Sequence, residues 1–244
     1  MKERGNRQEI VLATKVGSET KEHGYDISRK HILKSVDASL QRLKTDYIDL
    51  YYTHFDDSIT PVEETLSTYD ELIKAGKIRY IAASNLSLER LVESFEAAEK
   101  HGFAKYVALQ PHYNLVEREG FESMYAALAQ KYELSVFPYW SLAAGFLTGK
   151  YRTASDFSKS PRGGGAAKYL NEKGMNVLNA LDKVAEKYDS QQATIALAWL
   201  LANPLITAPI VSATSESQLK ALFDAPQLKL DQEDIDLLNT AGNE

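Results

Sequence analysis

The sequence predicts an α/β fold built on a parallel sheet. Three observations carry that expectation: short strand-like runs alternate with helical patterns along the whole chain, no two runs are joined by a hairpin turn, and successive runs end in polar or aromatic residues. Strict strand–helix alternation without hairpins leaves parallel pairing as the simple solution. With 244 residues, 44% hydrophobic and 25% charged, the chain is an ordinary globular sequence able to bury a sizeable core.

The first residues, Met1 to Asn6, read as the last turn of a helix with Gly5 as its terminator and no helix before it; we expect a truncated chain. Ile10–Ala13 is the first strand, ending in Thr14-Lys15-Val16-Gly17. A helix capped by Ser28 runs to about Leu43, with Ile32, Leu33, Val36, Leu40 and Leu43 at helical spacing. Asp46 to Thr53 is a strand in which Leu50, Tyr52 and His54 share one face, stopped by Asp56-Asp57-Ser58. The next helix starts at Thr60-Pro61, with Glu63 in its first turn, and Gly76 closes it. Then come a strand over 78–83 ending in Ser84-Asn85, a helix from Ser87 to Lys100, and a strand over 106–109 ending in Gln110-Pro111. A helix over 121–132 and a strand over 134–138, ending in Tyr139-Trp140-Ser141, follow. The segment 145–174, centred on Pro161-Arg162 and three glycines, reads as a mobile flap. Helices over 175–188 and 191–202, a strand over 206–211, a helix over 215–223 and a final helix over 231–241 complete the chain. That makes six strand–helix units, with no domain boundary.

Composition excludes several functions. A net charge of −6 argues against nucleic acid as a partner. The longest apolar run, Ala193 to Ala202, is too short to span a membrane. The chain has no cysteine, which removes disulfides and thiolate catalysis and fits the cytoplasm. The five histidines show no ligand-type spacing, so no metal is expected.

Five strand ends carry chemistry: Lys15, His54, Ser84-Asn85, Gln110 and Tyr139. On a curled parallel sheet they would meet at one rim. A lysine lowers the pKa of a neighbouring acid, and a histidine can donate a hydrogen bond to a carbonyl oxygen. Ser, Asn and Gln supply the donors and acceptors that a carboxamide needs, and an aromatic face stacks on a flat ring. The pattern suits nicotinamide with a carbonyl beside the Lys15–His54 pair. The plainer alternative, that strand ends are polar because they meet solvent, explains one position better than five.

At these residues the sequence resembles the aldo/keto reductase superfamily, in its bacterial and potassium-channel-β-subunit-like branch. Ala13 to Gly17 is similar to the family's third-strand motif, Leu43 to His54 to the fourth-strand signature and Ala75 to Asn85 to the fifth. Gln110 to Leu115 is similar to the sixth, and Gly145 to Tyr151 to the loop after the seventh. The resemblance implies a (β/α)8 TIM-barrel type, here one domain over 1–244 with six of the eight βα units, that reduces aldehydes and ketones with NAD(P)H. By resemblance Lys15 and His54 are two of four catalytic residues. Ser84, Asn85 and Gln110 would hold the carboxamide and Tyr139 would stack on the ring. Leu142, Ala143, Ala144 and Lys150 would line the pyrophosphate, Arg162 would fold over the adenine side, and Ser212, Thr214 and Gln218 would meet the adenosine phosphate. NADP(H) is implied over NAD(H), although the usual basic residue and Glu-Asn pair are replaced by Ser212, Gln218, Ala221 and Leu222. Trp140-Ser141 replaces the usual Ser-Pro.

The family's aspartate and its proton-donating tyrosine belong to βα units that the resemblance does not find here, so impaired reduction is expected. Tyr52 lies on the His54 face but about 6–7 Å deeper, and reads as core. Open edges at the first and last strands would be covered by rearrangement or by a homo-oligomer. Two other readings remain: a non-catalytic nucleotide-binding or interaction protein of this fold, and a (β/α) enzyme for a phosphorylated substrate, suggested by the Ser212–Ser217 cluster before a helix.

Overall fold

The computed structural model describes residues 4–19, 24–160 and 163–243. The chain divides into two compact units, one comprising residues up to Gln110 together with Lys131–Leu134, the other Pro111–Gln130 and the residues from Ser135 onward.

The first unit carries four strands, β1 (Ala13–Val16), β2 (Ile48–Thr53), β3 (Ile78–Ser84) and β4 (Ala108–Gln110), paired parallel in chain order. Helices α1 (Arg29–Leu43), α2 (Val62–Lys74) and α3 (Leu88–His101) connect them. The Ser28 and Ser87 hydroxyls accept from His31 N and Arg90 N, capping α1 and α3 as their sequences predict. α2 starts one residue later than expected. Pro61 stands at its cap position without a side-chain bond, because the Thr60 hydroxyl donates to Asp57 Oδ2 at 2.6 Å instead. β2 is buried along its whole length. On its helix-facing side Thr53 Oγ1 lies 2.8 Å from the Tyr69 hydroxyl and 2.9 Å from that of Tyr106.

The first strand begins at Ala13, three residues later than the sequence suggests. Residues 7–9 form a 3-10 turn, and the Asp49 carboxylate takes the Leu12 N–H at 2.9 Å. That carboxylate also pairs with Arg7 at 2.7 Å and Arg79 at 2.9 Å. Both guanidiniums cover the Tyr47 ring, 3.8 and 4.1 Å from its centroid. A cleft of about 450 Å³ lies beside this clamp, at the amino ends of β2 and β3, lined in part by Tyr47, Ile78, Arg79 and Tyr80.

In the second unit a π-helical turn, Gly120–Tyr125, leads into α4 (Ala126–Lys131), where one helix was expected. β5 is short (Ser135–Val136). The strand expected over 206–211 is a parallel bridge from Val136 to Ile206 with further bonds from Thr207 N and Ala208 N to Val136 O and from Ile210 N to Pro138 O. Pro209 has no N–H to give, which prevents a continuous ladder. The segment read as a flap is, in its described residues, a series of short helical turns including α5 (Gly163–Ala166). It buries Phe146, Leu147, Tyr151 and Ala166. Helices α6 (Glu172–Lys187), α7 (Gln192–Ala202), α8 (Glu216–Asp224) and α9 (Gln232–Asn243) follow. α7 is buried from Ala193 to Leu200, as expected of a helix that is apolar all round. Among the described residues no helix is long and apolar enough to cross a membrane.

Candidate active site

In the first unit the strand register determines which side chains share a face. Lys15 pairs with Tyr52, Tyr52 with Ala82 and Ala82 with Ala108. Two residues further on, past the β2 terminus, comes His54, and in the next strands Ser84 opposite Gln110. Side chains repeat on a face every second residue, so His54, Ser84 and Gln110 form one row and Lys15 and Tyr52 the row beneath. His54 N donates to Val16 O at 2.8 Å, continuing the β1–β2 ladder by one step.

Gly17 lets the loop after β1 come this close. Its φ is +94°, and a Cβ there would stand 2.8 Å from the Phe55 carbonyl oxygen. The next residue, Ser18, places its hydroxyl 2.5 Å from His54 Nδ1. The His54 ring also lies 4.5 Å from that of Phe55. Burial, and then the charge of Lys15, lower the His54 pKa, so the imidazole is neutral at pH 7. Lys15 stands with its ammonium 5.1 Å from the Tyr52 ring centroid, and burial lowers its pKa.

Burial pushes the pKa of the Tyr52 hydroxyl up to about 12. The Ser84 hydroxyl donates to the Gln110 carbonyl at 2.9 Å. Asn85, held in the left-handed region at φ 52°, donates from Nδ2 to the His54 carbonyl at 3.0 Å and to Ser84 Oγ at 3.1 Å. Asn tolerates that conformation better than most residues. Lys15, His54, Ser84, Asn85 and Gln110 are thus brought together within one unit. Sequence reasoning missed Ser18; the Gly17-Ser18 pair, directly after the lysine strand, was the available signal.

The second unit holds the other predicted residues. Tyr139 N donates to Pro111 O at 2.9 Å, and its half-buried ring stacks on His112, with centroids 5.2 Å apart and planes at 12°. Trp140, with φ 55°, meets His112 edge-on at 5.4 Å, and its carbonyl accepts from Asn114 Nδ2 at 2.9 Å. The Ser141 hydroxyl bonds to the carbonyls of Pro138 and Ile210 at 3.0 and 3.1 Å. His112 and Asn114, which organise this corner, were not predicted as site residues.

After Leu142 the backbone turns through three left-handed residues, Ala143, Ala144 and Gly145 (φ 49°, 56° and 91°). A Cβ at Gly145 would stand 3.3 Å from Lys150 Nζ, so the ammonium lies directly over the turn. Ser212, Thr214 and Gln218 are exposed near the start of α8, where Gln218 Oε1 accepts from Thr214 N at 2.8 Å. Arg162 lies outside the described residues.

The comparisons agree with the motifs. The chain matches the aldo/keto reductase family over residues 1–243. It is 35% identical to the aldo-keto reductase YhdN of Bacillus subtilis (strain 168), over 98% of this chain and 72% of that protein. It is 32% identical to a probable voltage-gated potassium channel subunit beta of Oryza sativa subsp. japonica, over 91% of this chain and 71% of that one. It is also 32% identical to the L-glyceraldehyde 3-phosphate reductase of Escherichia coli (strain K12), over 88% of this chain and 64% of the relative. Members of the family are typically NAD(P)H-dependent. The chain belongs to the aldo/keto reductase family.

Proposed function

We propose that this chain is an NAD(P)H-dependent reductase of aldehydes and ketones, taking NADP(H) in preference to NAD(H) and acting on a small-molecule carbonyl compound. The observation that carries the reading is the row of His54, Ser84 and Gln110 above Lys15 and Tyr52 on one sheet face. The cofactor supplies the hydride. Asn85 and Gln110 offer the donors and acceptors that recognise its carboxamide, with the Ser84 hydroxyl accepting from Asn85 Nδ2 and donating to the Gln110 backbone carbonyl. Tyr139, backed by His112, offers a ring face for stacking. The turn from Leu142 through Ala143 and Ala144, under the Lys150 ammonium, suits a pyrophosphate. Ser212, Thr214 and Gln218 would reach the adenosine phosphate, and Arg162 the adenine.

Lys15 and His54 act on the carbonyl. Neutral His54 donates to its oxygen, with the imidazole oriented by Ser18, and Lys15 adds positive charge as the alkoxide develops. The six strand–helix units read from the sequence are taken as parts of one TIM-barrel-type domain, in a cytoplasmic protein that covers its open strand edges by self-association.

Turnover by these 244 residues is expected to be slow. Burial pushes the pKa of the Tyr52 hydroxyl, in the row of Lys15, up to about 12, which makes it a reluctant proton donor. A positioned donor is worth about 10²–10⁴-fold in rate. That observation also favours a second reading, in which the chain binds the nucleotide without reducing a carbonyl.

Titration with NADPH and NADH, followed by the fluorescence of Trp140, and NADPH oxidation with an aldehyde panel test both readings. Binding with slow turnover supports the reductase, binding without turnover the second reading, and no binding removes both. A fall of about 10²–10⁴-fold in Tyr52→Phe would transfer the donor role to Tyr52.

A further inference from the structure

His54 is held by its neighbours at the backbone and at the ring. Its N–H donates to the Val16 carbonyl at 2.8 Å, its carbonyl accepts from Asn85 Nδ2 at 3.0 Å, and its ring lies 4.5 Å from that of Phe55. The turn after β1 reaches it twice, through the Val16 carbonyl and through the Ser18 hydroxyl, 2.5 Å from Nδ1. Between these two residues stands Gly17, with φ +94°. A Cβ there would lie 2.7 Å from Ile27 Cγ2 and 2.8 Å from the Phe55 carbonyl oxygen. The turn is therefore pressed onto residues 54 and 55, and the backbone itself delivers the Ser18 hydroxyl to the ring.

A neutral imidazole carries one proton on either of two nitrogens, and the hydrogen bond at one nitrogen decides what the other can do. The lone pair of a ring nitrogen is a far stronger base than a hydroxyl oxygen. Between Ser18 and Nδ1 the favoured arrangement therefore has the hydroxyl donating and the nitrogen accepting. In the opposite arrangement Nδ1–H would donate to Ser18, and a bare Nε2 would turn its lone pair on a carbonyl oxygen and repel it. We propose that Ser18 is a positioning residue that fixes the proton of neutral His54 on Nε2, making the ring a hydrogen-bond donor at the mouth of the site. The placing of the proton stands on the Ser18–His54 contact, whereas its effect on turnover rests on the reductase reading.

The test is long-range 1H–15N spectroscopy of the 15N-labelled chain at pH 7.5, where His54 is neutral because burial and the Lys15 charge lower its pKa. The His54 signals are assigned by their loss in His54→Gln. The expected result is a single tautomer protonated at Nε2. Ser18→Ala should add a measurable fraction protonated at Nδ1, and Ser18→Thr, which keeps the hydroxyl, should restore the single form. Circular dichroism checks that each variant is folded; if Ser18→Ala is not, the spectrum of the unaltered chain decides alone. A proton on Nδ1 or a mixture in the unaltered chain, or an unchanged tautomer in folded Ser18→Ala, overturns the proposal. In NADPH-dependent aldehyde reduction, Ser18→Ala should lower kcat by about 2–10-fold, the worth of one neutral hydrogen bond, and leave the Kd for NADPH unchanged. NADPH titration of the same preparations separates the two readings. Binding with the proton on Nδ1 overturns the role of Ser18 alone, and the Nε2 form without binding overturns the reductase alone.

Discussion

At the scale of single residues, burial and partners decide what each group does. His54 and His112 both have pKa values lowered chiefly by burial, so the unfolded chain binds protons more readily than the folded one near pH 6. Stability is therefore full above about pH 6.5, the ordinary histidine value, and falls as the pH drops through that value towards the lower folded pKa values. Urea midpoints should be lower at pH 5.5 than at pH 7.5, and the difference should shrink in His54→Gln and in His112→Asn. Thr53 has a different role, because its hydroxyl joins two buried tyrosine hydroxyls. Thr53→Val keeps the shape but strands both partners, and should cost about 1–3 kcal/mol in urea unfolding. Lys15, His54, Ser84, Asn85, Gln110 and Tyr139 were all legible as strand-end polar or aromatic residues. Ser18 was not, because nothing in a serine after a glycine says that it will meet an imidazole 36 residues away.

At the scale of elements, the helices were the most legible part. Serine caps and left-handed residues such as Lys44 and Gly102 bound α1 and α3 close to where the pattern puts them. Strand ends were less so. β1 begins late because a side-chain carboxylate, Asp49, captures the Leu12 amide before the ladder starts. Alternation of apolar residues cannot show such a competition. The Arg7–Tyr47–Arg79 stack around Asp49 fastens the chain before β1 to the base of β2. Asp49→Ala leaves two guanidiniums and the Leu12 amide without their acceptor, and should destabilise by about 1–3 kcal/mol in the same assay. Gly17 is the corresponding point at the other end of β1. Gly17→Ala must adopt φ +94° and meets the Phe55 carbonyl, so it should lower the melting temperature and weaken NADPH binding together, because the loop carrying Ser18 has to move. Unchanged binding in a folded Gly17→Ala protein would show that this loop does not support the site.

At the scale of the whole molecule, a ligand that binds the folded chain raises its stability by mass action. NADPH at about 100 times its Kd should add about 2.7 kcal/mol, visible as a rise in melting temperature. The α/β class, the family, and the alternation of the first four strands with α1, α2 and α3 were legible in the sequence. Those properties follow from local periodicity, capping and short motifs, which act over a few residues. Folding in three dimensions was needed to bring Thr53 to the Tyr69 and Tyr106 hydroxyls, Lys15 against the Tyr52 ring, and His112 behind Tyr139. Register across separate strands and packing between distant segments set those contacts. They depend on which of several satisfied hydrogen-bond arrangements the folded chain can close at once, a choice that no local pattern encodes.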